Sequence, residues 1–111
     1  MARHGDRFLE RVYTLQERVD SRRDPARLAA RFAAKEATMK ALGRTDEGIG
    51  WQSIEVLRDP AGRPSIRLSG AAAELAISRG VTSLAVSLGR ARRHAAAVVV
   101  AQAEAPRRDG E

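Results

Sequence analysis

The residues with the plainest chemical potential in this 111-residue chain stand in "RFAAKEATMKALG", residues 31–43. The chain uses eighteen arginines and only two lysines, and both lysines, Lys35 and Lys40, fall in this stretch around its only acid, Glu36. A carboxylate four residues before an ammonium puts both groups on one side of a helix. Two chemistries are open to such a pair. One is an ordinary ion pair on a solvated face, worth about 0.3–0.5 kcal/mol. The other is a site in which Glu36 binds a divalent cation or takes a proton while Lys40 meets a phosphate, because hard magnesium prefers carboxylate oxygen and a compact ammonium suits phosphate as a point charge. One carboxylate is too few for a magnesium site made of protein alone, so substrate phosphates, water or another acid would complete it.

The elements that must position these groups are legible around them. Asp24 and Pro25 read as the cap and first residue of the helix that carries the stretch, and Gly43 as its end. At about 100° per residue, Leu28, Phe32, Met39 and Leu42 form one large apolar stripe, with Ala30, Ala33, Ala34, Ala37 and Ala41 roughly opposite. Such a helix is packed on two sides and central to its domain, with Glu36 and Lys40 in one seam between the faces and Lys35 reaching past the large apolar groups. Before it, Phe8, Leu9 and Val12 share one face of a helix within residues 4–12, and "TLQE" at 14–17 is a capping box opening a second. After it, "GRTDEGIG" at 43–50 is a loop, "WQSIEVLRD" a strand, "DPAGRP" at 59–64 a turn and "SIRL" a short strand. Ser69 caps a helix closed by Gly80, and strands follow at 82–88 and 94–102, the last apolar throughout and expected to be buried on both faces. Helices first and hairpin-linked strands later predict an α+β domain over residues 1–103, a mainly antiparallel sheet packed on a central helix, with a disordered polar tail over 104–111.

Composition narrows the function. The hydrophobic fraction is 43% but aromatics are only 4%, so alanine, valine and leucine build a thin core that association between subunits would help. No cysteine is present, which excludes a disulfide framework and a thiolate metal site and fits a reducing compartment. Without a membrane-length apolar run, the chain reads as soluble and cytoplasmic. A formal net charge of +6 favours an anionic partner, whether a phosphorylated small molecule, an acidic protein or nucleic acid.

The stretch "RFAAKEATMKALG" resembles the signature helix of the holo-acyl-carrier-protein synthases, a branch of the 4′-phosphopantetheinyl transferase superfamily. The resemblance extends through "RHGDRFLERVYT", "WQSIEVLRDPAGRPSIRL" and "VTSLAVSLGRARRHAAAVVVA", about residues 3–102. It implies magnesium-dependent transfer of phosphopantetheine from coenzyme A to a serine of an acyl carrier protein, releasing adenosine 3′,5′-bisphosphate. By resemblance Glu36 is the metal ligand and a base for the serine hydroxyl, and Lys40 holds the diphosphate. Arg31, Phe32, Lys35, Gly43, Pro64 and Arg90 would lie along the coenzyme A cleft, while Arg7 and Arg11 match a basic helix that meets the acidic carrier. A homotrimer with sites between subunits is also implied.

Two departures qualify that expectation. Family members begin with a strand ending in Gly-x-Asp, whose aspartate is a second metal ligand, whereas Met1 to Gly5 match a point inside the family's first helix. Where the family has Ser-x-Ser-His, this chain reads "SLGR", and Arg90 is no neutral base. The chain is therefore either an incomplete record whose true start lies upstream or a diverged, non-catalytic relative that binds coenzyme A or carrier protein. A basic nucleic-acid-binding domain, suggested only by charge, is a third reading, disfavoured by the scarcity of aromatics for stacking. Asp46 and Glu47 are conceivable substitute ligands, with loop solvation the default. His4 and His94 lack metal-ligand spacing, Trp51 reads as a core anchor, and "RARR" at 90–93 as a basic hairpin tip.

Overall fold

The computed structural model describes residues 4–22, 24–43, 49–91 and 94–103, with the side chains of 4–6, 89–98 and 100–103 excepted. Asp46, Glu47, the hairpin tip at 92–93 and the tail 104–111 lie outside the described residues, as do the side chains of His4, Arg90 and His94 and the expected two-sided burial of the last strand.

The short-range helix signals set the first half of the chain. Helix α1 (His4–Val12) leads to α2 (Leu15–Ser21), where the Thr14 hydroxyl accepts from the Glu17 amide and the Glu17 carboxylate accepts from the Thr14 amide, completing the capping box. Helix α3 (Pro25–Ala41) starts with Pro25 behind Asp24, whose carboxylate accepts from the Ala26 amide at 3.2 Å. It stops at Gly43, whose φ of +81° is the left-handed setting that glycine adopts without strain.

The second half departs once from expectation. Trp51–Ser53 is a short 3-10 helix, and the strand β1 starts only at Ile54 (Ile54–Arg58). The reason is packing: Trp51 touches both core clusters, and the tight turn lets its ring reach α3 while its carbonyl faces Lys35. Strand β2 (Pro64–Leu68) pairs antiparallel with β1 through the Asp59–Arg63 turn, Ile54 opposite Leu68 and Arg58 opposite Pro64. Ser69 takes the cap position of α4 (Gly70–Ser78), although its hydroxyl makes no capping bond. Strands β3 (Val81–Ala91) and β4 (His94–Ala103) form a longer antiparallel hairpin than the sequence suggested, against which α3 packs. Both hairpins are antiparallel and α3 packs against both and against α2, the α+β plan expected.

One core cluster joins Met39, Ile49, Ile54 and Ala72, and the other joins Val12, Tyr13 and Leu28. Thr14 ties the small helices to the first hairpin, because its hydroxyl also donates to Glu55 Oε2 at 2.5 Å. Thr14→Ala removes both the cap and that bond, and is expected to lower stability by about 1–2 kcal/mol. A urea midpoint that drops at unchanged slope would report it, and an unmoved midpoint would refute it.

Candidate active site

The inward side of α3 is more polar than its apolar stripe implied. Arg31, Lys35 and Thr38 are buried there beside Leu28 and Met39. Lys35 Nζ lies 2.7 Å from Glu17 Oε1 with both side chains fully buried, and it donates to the carbonyls of Trp51, at 3.0 Å, and of Ile54. Its three donors are thereby used. Glu17 Oε2 accepts from the Val56 amide at 2.9 Å, so the carboxylate is satisfied as well. The ammonium also lies 5.8 Å from the centroid of the Tyr13 ring. Burial pushes the pKa of Lys35 down, and the Glu17 carboxylate opposes that shift.

This corrects the expectation for Lys35. Its side chain spans the interior between α2 and β1, so it does not face a coenzyme A cleft. Sequence reasoning saw Glu17 only as a capping residue; the signal that could have found the pair was that an ammonium centred on a buried face needs a carboxylate.

Tyr13 closes the same pocket, donating its hydroxyl to the Leu28 carbonyl at 2.7 Å. Burial first, and Glu17 second, push its pKa from the ordinary 10.0 up to about 12. A phenol whose folded pKa is raised contributes stability that is complete below its unfolded value and lost as pH rises through the folded one. Stability is therefore expected to fall between pH 10.0 and about 12, and Tyr13→Phe to flatten the fall in a series of urea midpoints. An identical slope in that variant would refute the assignment.

The outward side carries the reactive candidates. Glu36 and Lys40 are both exposed, one turn apart, and no ion pair joins them among the described residues. Gly43 follows one turn beyond, bonded back to the Lys40 carbonyl, and the Arg79 guanidinium covers it. Arg31 is 2% exposed; its Nη1 donates to the Arg27 carbonyl at 3.2 Å and its Nε has no partner among the described residues. Burial, then the nearby Arg58 charge, lowers its pKa, yet a guanidinium stays charged. Arg31 sits on the inward side, where Arg58 and Arg27 add to the positive charge while the Asp20 and Glu17 carboxylates oppose the shift, so its charge is partly answered within the protein. Phe32 is half-buried, 5.1 Å from Trp51 and 6.2 Å from Phe8 between ring centroids, so it is first a packing residue. Pro64 stands at the start of β2, opposite Arg58. Arg7 and Arg11 are exposed one turn apart on α1.

Among the described residues no group of three or more His, Cys, Asp or Glu side chains suited to a metal occurs, and Glu36 is the one carboxylate on α3 that could ligate magnesium, its other ligands coming from outside the helix. Nor is any helix among the described residues long and apolar enough to cross a membrane.

Comparison with known proteins identifies the family. The sequence model of the 4′-phosphopantetheinyl transferase superfamily matches residues 1–99. The chain is 43% identical over 104 residues to the holo-[acyl-carrier-protein] synthase of Halorhodospira halophila, covering 90% of this chain and 82% of that protein. It is 46% identical over 114 residues to that of Chloroflexus aggregans, covering 89% and 81%. Among solved structures it resembles the Helicobacter pylori holo-[acyl-carrier-protein] synthase in complex with coenzyme A, with a TM-score of 0.78, 31% identity and coverage of 86% and 82%. The holo-[acyl-carrier-protein] synthase–coenzyme A complex of Chronobacterium ammoniagenes gives a TM-score of 0.80 at 31% identity, covering 94% and 86%. With its signature helix in place between two antiparallel hairpins, the chain belongs to the holo-[acyl-carrier-protein] synthases of the 4′-phosphopantetheinyl transferase superfamily.

Proposed function

We propose that this protein transfers 4′-phosphopantetheine from coenzyme A to a serine hydroxyl of an acyl carrier protein. The observation that carries the reading is the exposed Glu36 and Lys40 pair on a helix that both hairpins hold in place. In the reaction the serine oxygen forms a bond to the phosphorus that bears the pantetheine arm. The bond from that phosphorus to the bridging oxygen breaks, and adenosine 3′,5′-bisphosphate leaves. Glu36 is placed to accept the serine proton, and Lys40 to neutralise charge gathering on the diphosphate oxygens. By the family resemblance Arg31 anchors a phosphate, Gly43, Pro64 and Arg90 belong to the coenzyme A cleft and Phe32 to its wall. Positioning supplies much of the acceleration, because two bound partners react as one assembly.

Glu36 would hold a magnesium ion together with ligands from elsewhere, and the ion would offset charge on the diphosphate. Arg7 and Arg11 suit an acidic carrier, whose approach they would steer. Phe8, Leu15, Val19 and Ile77 are 52–78% exposed, apolar surface that a homotrimer would cover. A cytoplasmic setting follows from the substrates.

Intact mass spectrometry of an apo-carrier incubated with the protein, coenzyme A and magnesium tests the reading directly. A gain of one phosphopantetheine is expected, reduced at limiting coenzyme A in Arg31→Met. No gain, with coenzyme A binding retained in calorimetry, would leave a binding relative that does not catalyse transfer.

A further inference from the structure

The reaction above makes no direct use of the buried Glu17 and Lys35 pair, although Lys35 adjoins Glu36 in the chain. The buried side of helix α3 is apolar only in part, so its apolar groups alone do not fix how it turns about its own axis. Its buried residues are Leu28, Ala30, Arg31, Ala34, Lys35, Thr38 and Met39, three of them polar. At about 100° per residue, Leu28, Arg31, Met39 and Leu42 all fall within about 40° of Lys35, so an ammonium stands at the centre of the buried arc. The opposite side offers only Ala33, Ala37 and Ala41, so Leu28, Met39 and Leu42 already choose which side faces inward. Spread over about 60° of arc, they set the rotation only coarsely.

Lys35 sets it finely. Only in the observed setting do its three donors meet Glu17 Oε1 and the carbonyls of Trp51 and Ile54. Glu17 is itself pinned from the far side by the Thr14 and Val56 amides, so the anchor belongs to α2 and β1 as well as to α3. In any other rotation a buried carboxylate and two buried carbonyls lose their partner. We infer that the Glu17 and Lys35 pair fixes the rotational setting of α3, so that Lys35 is a positioning residue that turns Glu36 and Lys40 outward to the substrates. Buried ionic groups specify one arrangement among near-equals elsewhere, notably in registering packed helices.

The chain has no cysteine, so single introduced thiols read the setting without background. Ala34 is fully buried and Ala29 exposed on the same helix, and neither belongs to the proposed machinery. In the parent chain Ala34→Cys is expected to resist a thiol reagent while Ala29→Cys reacts freely. In Glu17→Leu/Lys35→Met, which leaves no lone buried charge, the protection at position 34 is expected to drop at least about tenfold beyond what the urea midpoint accounts for, while circular dichroism remains that of the fold. Full protection at 34 in that background would overturn the inference. Should that variant not fold, Glu17→Gln/Lys35→Met, which keeps the capping acceptor and removes both charges, carries the same readout with the same two outcomes. The kinetic arm rests on the proposed transfer: kcat is expected to fall at least about tenfold with KM for coenzyme A little changed, and a parent-like kcat would overturn the positioning role. If the parent transfers nothing, the proposed reaction fails while the thiol readout still decides the inference.

Discussion

Lys35→Met is expected to lose about 3–5 kcal/mol of stability, a large share of what a domain of this size has. The substitution leaves Glu17 as an uncompensated carboxylate in the interior and takes the donor from the carbonyls of Trp51 and Ile54. No water reaches either side chain to take its place, since both are fully buried. Glu17→Leu alone should be comparably severe, because it strands the ammonium and opens the capping box as well. Together the two should cost much less than their sum, since the double variant buries no lone charge. Lys40→Met, exposed on the same helix, should stay within about 0.5 kcal/mol of the parent. Urea unfolding of the four chains decides the matter. A Lys35→Met midpoint like that of Lys40→Met would show that the ion pair carries no weight.

That contrast also shows where the sequence was readable. The capping box at Thr14 and Glu17, the Asp24–Pro25 start, the Gly43 stop and the Asp59–Arg63 turn all rest on interactions that span four residues or fewer, and each formed. The large residues of α3 also went inward as their spacing implied. What escaped was anything joining distant positions. Lys35 finds its partners 18 residues earlier in α2 and 16 and 19 residues later around β1, and nothing in the spacing marks those pairings. The 3-10 turn at Trp51 escaped for the same reason, because tertiary contact with both core clusters overrides the β preference of its residues. The candidate site divided along the same line. Glu36 and Lys40, named from their spacing, are open to solvent, while Lys35, named for coenzyme A by family resemblance, is a buried tie.

Glu36→Gln should lower kcat for transfer by at least about 100-fold, equivalent to about 2.7 kcal/mol of barrier, while leaving the urea midpoint unmoved. Gln has nearly the same shape and an acceptor oxygen, but it takes no proton and carries no charge, so the loss isolates those two properties. Lys40→Met should also cost at least about tenfold in kcat/KM, since charge on the diphosphate would then go unanswered at that point. The exposure of both groups sharpens this expectation. In the single chain they face water, where a charge acts weakly across a few ångströms, so their effect must develop as substrates, and a neighbouring subunit where one is present, exclude solvent around them. Both variants should accordingly keep parent-like stability while failing at turnover, whereas Lys35→Met loses stability as well. A Glu36→Gln protein that modifies the carrier at the parent rate would remove Glu36 from the chemistry. Retained coenzyme A binding with lost turnover in that variant would instead place it on the reacting atoms.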